Sequence, residues 1–73
     1  MNLPWQAADV LDAILELGKR PGETIDLAQL WHKLMRGEVV SEGIKILAER
    51  GLVIERETSV ELTTAGYELV RAF

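Results

Sequence analysis

The run Val40-Ser41-Glu42-Gly43-Ile44-Lys45-Ile46-Leu47-Ala48-Glu49-Arg50-Gly51-Leu52-Val53-Ile54-Glu55, continued by Val60-Glu61-Leu62-Thr63-Thr64-Ala65-Gly66, decides how this chain folds. Val40, Ile44, Leu47 and Ala48 recur at the spacing of one buried helical face. Gly51 follows the last of them and supplies the positive φ with which a chain leaves a helix and turns sharply. Leu52, Ile54, Val60 and Leu62 then alternate with polar residues, which predicts two short strands joined near Glu57-Thr58-Ser59. Thr63 or Thr64 is placed to cap a last helix, on which Gly66, Leu69, Val70 and Phe73 share a face.

Working back from this segment, Arg36-Gly37-Glu38 reads as a tight corner. A second helix precedes it, with Leu27, Leu30, Trp31 and Leu34 at i, i+3, i+4 and i+7 and Asp26 as its N-cap; this stripe predicts Trp31 in the core. Thr24 and Ile25 can form a very short strand. The first helix has Pro4 in its first turn and Ala7, Val10, Leu11, Ile14 and Leu17 on one face, with Asp9, Asp12 and Glu16 on another. Gly18 ends it before the turn Lys19-Arg20-Pro21-Gly22. Trp5 is expected as a lid on the core or an anchor at a dimer interface. Val39 and Ile46 fall on a flank of the third helix, to be covered by the first helix or the amino-terminal arm, or left as a small apolar patch.

Seventy-three residues predict one domain spanning residues 1–73, marginal enough in size for pairing to be a plausible source of stability. The 48% hydrophobic content with 27% charged residues is that of a folded globule rather than a disordered tail. There is no cysteine, which removes disulfides, zinc fingers and thiol chemistry and fits a reducing cytoplasm. The apolar runs are too short to span a membrane, and Met1-Asn2-Leu3-Pro4-Trp5 lacks the pattern of a signal peptide. His32 has no companion at metal-ligand spacing and reads as a surface histidine. No Gly-rich phosphate loop, paired nucleophile and base, or metal cluster is legible, so neither catalysis nor a cofactor is expected.

The pattern Val40-x3-Ile44-x2-Leu47-x3-Gly51-Leu52-Val53, then a hairpin, then Leu62-Thr63-Thr64-Ala65-Gly66, resembles the winged helix-turn-helix core of MarR-type bacterial regulators over about residues 24 to 70. The resemblance implies a mainly α fold with a small β-hairpin: a three-helix core, a wing and a C-terminal helix. It also implies a mode of action, in which the third helix enters the major groove and the wing reaches the minor groove or the phosphates. Carried over by position, the groove-facing residues are Gly37, Glu38, Val39, Ser41, Glu42, Lys45 and Glu49. The wing is Glu55, Arg56, Glu57, Thr58 and Ser59, without the arginine that MarR-type wings commonly carry at the tip.

Duplex affinity comes largely from Lys and Arg neutralising phosphates. Residues 36 to 61 hold four bases, Arg36, Lys45, Arg50 and Arg56, against six glutamates, a net −2 inside a chain of net −4. That is the wrong sign for a polyanion. The expectation is therefore a non-catalytic, protein-directed adaptor or regulatory subunit, with a protein partner or a second copy of itself. Its binding surface is formed by Glu38, Val39, Ser41, Glu42, Lys45, Ile46, Glu49 and Arg56. The alternative is a small dimeric DNA-binding regulator of MarR-like type, paired through its first and last helices. Its phosphate contacts would be Lys19, Arg20, Lys33, Arg36, Lys45 and Arg56.

Overall fold

A computed structural model describes residues 3–18 and 20–71, with the side chains of Val70 and Arg71 left aside. The chain runs through α1 (Trp5–Glu16), β1 (Thr24–Asp26), α2 (Leu27–Leu34), α3 (Gly37–Glu49), β2 (Val53–Glu55), β3 (Ser59–Leu62) and α4 (Thr64–Arg71). The result is a mainly helical domain with a three-stranded antiparallel sheet.

The sheet has the order β1-β3-β2, with Ile25 opposite Val60 and Val53 opposite Leu62. Leu27 N–H donating to the Thr58 carbonyl at 3.0 Å and Gly22 N–H donating to the Leu62 carbonyl at 2.8 Å extend the outer ladder at both ends. Ile25, Val53, Val60 and Leu62 turn to one side of the sheet and join Ala7, Val10, Leu11 and Ile14 of α1, Leu30 of α2 and Val40, Ile44 and Leu47 of α3 in one core. Leu47 is fully buried, as are Val10, Leu30, Val40 and Val60.

α1 lies directly on α3, and Gly43 is what lets it. A Cβ at this position would sit 2.5 Å from both the Gln6 carbonyl oxygen and a Val10 methyl. Gly51 leaves α3 at φ 72°, and Leu52 N–H returns a hydrogen bond to the Leu47 carbonyl at 2.9 Å. Thr63 fixes the next junction. Its hydroxyl oxygen lies 2.9 and 2.8 Å from the Gly51 and Leu52 carbonyl oxygens, to which it can donate its one hydrogen, and accepts from Gly66 N–H at 3.0 Å. One side chain thus caps α4 and ties it to the end of α3. Gly66 is buried, and a methyl on it would overlap the Leu52 carbonyl.

Several local expectations change. Trp31 is half exposed rather than in the core. Leu30 is the buried residue of the eight-residue α2, and Leu27 and Leu34 on either side are half-buried, so the stripe has no interior left for an indole one position further round. Ile54 points outward, because the strand begins at Val53 and the phase of alternation shifts by one; Leu52 is buried from the turn, before the strand starts. The corner is Met35-Arg36, with Met35 at φ 56°, and Gly37 and Glu38 already belong to α3. Pro4 is the N-cap of α1, preceding its first turn. Asp26 holds the N-cap position of α2 in extended backbone, yet its carboxylate makes no cap hydrogen bond. Phe73 lies outside the described residues.

Two stability outcomes follow from this packing. Leu47→Ala empties the centre where α3 meets the sheet and should cost about 2–5 kcal/mol, lowering the melting temperature by about 10 °C or more. A variant melting with the wild type would remove Leu47 from the centre of the core. At Gly43 two effects oppose each other: Gly→Ala inside a helix gains about 1 kcal/mol, whereas overpacking costs about 1–3 kcal/mol. One of the obstructing atoms is backbone and cannot swing away, so Gly43→Ala should be net destabilising in thermal melts despite its better helix propensity.

Candidate functional site

The outer side of α3 is a ridge. Glu38, Ser41, Glu42, Lys45 and Glu49 recur at helical spacing and are all exposed. Glu38 lies in the first turn, where the partial positive charge of the helix N-terminus favours a carboxylate, which is sufficient local reason for its presence. The other acids of the ridge have no such local reason. Val39 does not belong to this surface: it is buried at 6% exposure, on the α1-facing flank where Trp5 and Gln6 wall the same depression. Ile46 is half-buried against the core. Val39 is therefore closed off beside the first helix, which the Gly43 crossing brings close to this flank, while Ile46 stays half-buried.

Shallow depressions flank the ridge, and an exposed tryptophan stands in each flank. On one side Trp5, Gln6, Arg36, Glu38 and Glu42 surround the edge of Val39, with Trp5 56% exposed. On the other, Ser41 and Lys45 face Leu27, Trp31 and Glu55 across the groove between α3, α2 and β2. Trp31 also borders a depression towards the hairpin, with Asp26, Ala28, Glu57 and Thr58, and another towards the corner, with Ala28, His32, Met35 and Arg36. It is the centre of this face.

The basic residues are dispersed. Arg56, at the hairpin, lies 2.5 Å from Glu61 on β3. Lys33 lies 3.0 Å from Glu16, tying α2 to the end of α1. Both pairs are solvent-accessible and contribute little to stability, but each places a carboxylate beside a cation that a phosphate would need. Arg20 is exposed in the turn after α1, where its backbone N–H donates to Glu23 at 2.7 Å. Arg36 and Lys45 are exposed beside different depressions. Lys19 lies outside the described residues. The five phosphate candidates among the described residues thus form no continuous cationic strip.

His32 is exposed on α2. Among the described residues no group of three His, Asp or Glu side chains converges to hold a metal ion, and no helix is long and apolar enough to cross a membrane. No protein-family model, no curated protein and no solved structure matches this chain.

Sequence reasoning missed the apolar face centred on Trp31. Ala28, Trp31 and Met35 recur at i, i+3 and i+7, a second stripe overlapping the Leu27-Leu30-Leu34 one, and the larger leucine stripe hides it. Met35 is 84% exposed and held in the left-handed region, where its N–H donates to the Trp31 carbonyl at 2.6 Å. A glycine is the usual residue at such a helix end. Met35→Gly should therefore stabilise the fold by roughly 0.5–1 kcal/mol: the left-handed strain it removes, about 1–2 kcal/mol, exceeds the backbone entropy that glycine adds, about 0.5–1 kcal/mol. A denaturant midpoint that falls in the variant would mean that the methionine side chain packs against the fold.

Proposed function

We propose that this chain is a winged helix-turn-helix domain that acts without catalysis as a protein-directed adaptor or regulatory subunit. The order of α2, the Met35-Arg36 corner, α3 and the β2–β3 hairpin supports the fold assignment. On that assignment α3 is the reading helix and the hairpin is the wing. The observation that carries the function is the sign of their exposed charge. Glu38, Glu42, Glu49, Glu55 and Glu57 are all exposed, while Arg56, the wing's own cation, sits on Glu61. A duplex reader gains affinity by replacing condensed counterions with Lys and Arg. Arg36, Lys45 and Arg50 are exposed as well, yet the surface carries more acid than base and is a poor match for phosphates, whereas its two flanking tryptophans are the kind of side chain that anchors protein contacts. We place the module in the cytoplasm, a setting that a cysteine-free sequence suits.

The second reading is a small dimeric DNA-binding regulator of MarR-like type, favoured by the order of the elements. Titration with arbitrary duplex DNA at ~50 mM salt separates the two, since non-specific binding is at its strongest when counterions are few. The wild type should show no binding. The double variant Glu42→Lys, Glu49→Lys takes residues 36 to 61 from net −2 to +2. It should acquire weak duplex binding that falls as salt rises. Micromolar duplex binding by the wild type, with log K falling linearly against log salt, would replace the protein-directed reading with the DNA-directed one.

A further inference from the structure

We infer that the α2 face centred on Trp31 is a self-association surface, whose occupant is a second copy of the same face related by a two-fold axis through Trp31. Ala28, Trp31 and Met35 project from one side of α2, and all are exposed. The charges at the two ends of this face are opposite. Asp26 and Glu57 border the depression at the start of α2, where no basic residue lines it among the described residues. Arg36 borders the depression past its end, where no acidic residue lines it among the described residues. Asp26, Glu57 and Arg36 are exposed, and none makes an ion pair among the described residues.

A two-fold contact requires a patch to complement itself, so that residue i meets j and j meets i. Asp26 lies five residues before Trp31 and Arg36 five after it, with Ala28 three before and Met35 four after. Two α2 helices laid antiparallel about Trp31 therefore place the acidic end of each against the second copy's Arg36, and each Met35 against the second copy's small Ala28. The tryptophans meet at the axis. A parallel arrangement would set like charges together at both ends. Self-complementarity of charge and size is what selects a second copy over an unrelated partner, which would not need opposite ends of opposite sign.

An interface built on one short helix falls at the low end of the size range for specific pairs, so the dimer is expected at high protein concentration. The proposal does not rest on whether α3 addresses a protein or a duplex, and DNA titration leaves it untouched. Sedimentation of the purified chain over a concentration series reaching about 1 mM reads it directly, because an interface this small is expected to dissociate on dilution. The wild type should shift from monomer to dimer, and Trp31→Ala should remain monomeric while keeping the wild-type circular dichroism. Arg36→Glu makes both ends acidic; Asp26→Lys with Glu57→Lys makes both ends basic. Each should be monomeric alone, and an equimolar mixture of the two should dimerise. Glu57→Lys by itself, in the exposed hairpin loop away from the α2 N-cap, should weaken pairing in the same direction and serves as the check should the Asp26 change unfold the helix. A wild type that stays monomeric throughout would overturn the proposal. So would a dimer that survives Trp31→Ala, which would lie on another face such as α1 with α4, or a charge-swapped mixture that fails to pair while both variants are folded.

Discussion

The close crossing of α1 over α3 is the contact on which the rest of this small domain depends. It puts the backbone of Gln6 and the side chain of Val10 within a methyl's reach of Gly43, so the two longest helices meet with almost nothing between them. The missing side chain has an entropic cost in the unfolded chain and weakens α3 as an isolated helix. The return is burial: with α1 seated this low, Ala7, Val10, Leu11 and Ile14 reach Val40, Ile44 and Leu47 in a single core, and Val39 is closed off at the side. A chain of this size buries too small a fraction of its surface to lose such a contact.

That crossing also determines which surfaces exist. Once α1 covers one side of α3 and the sheet covers the end, the outer side of α3 is left as a ridge between two grooves. α2 is too short to bury more than one residue fully, and its other side becomes the wall of the second groove. Gly51 and Thr63 then hold the hairpin and α4 to the far end of α3 through backbone and hydroxyl hydrogen bonds. The exposed acids and the exposed tryptophans are thus presented by a frame whose geometry is set elsewhere, in the apolar contacts of α1 with α3.

Element order was legible in the sequence because each boundary has a local cause. Gly18 and Gly51 adopt the positive φ that helix ends require, and Thr63 is a cap whose hydroxyl has partners on both sides. The α1 and α3 stripes are long enough for periodicity to assign their buried faces. The errors fall where an element is too short for periodicity to choose. In α2 two stripes overlap within eight residues, and which one faces inward is settled by how much interior α1 and α3 leave over. In β2, three residues long, the inward phase is set by pairing with β3, so Val53 goes in and Ile54 goes out. Gly43 carried a readable signal, an isolated glycine in a strong helical pattern, but its partner α1 is distant in sequence. The acidic character of α3 and the hairpin was visible from composition; the ion pairs that occupy Lys33 and Arg56 depend on tertiary placement and were not.

Charge and apolar exposure point in the same direction on this molecule, and for separate reasons. A domain with marginal stability has most to gain from burying its largest side chains, since a fully buried aromatic side chain removes about 150–250 Å² from water. Two tryptophans nevertheless stand half outside, and a methionine occupies a left-handed position at the end of α2 where glycine would cost less. Each of these is a local concession of stability. None is needed to close the core, which is filled by Leu30, Leu47 and their neighbours. Apolar surface that the monomer leaves in water is accounted for when another surface covers it, and an apolar face with opposite charges at its two ends specifies that surface more narrowly than hydrophobicity does. A duplex, uniformly negative, could neutralise one end of the Trp31 face and would be repelled at the other. A protein surface can match both ends.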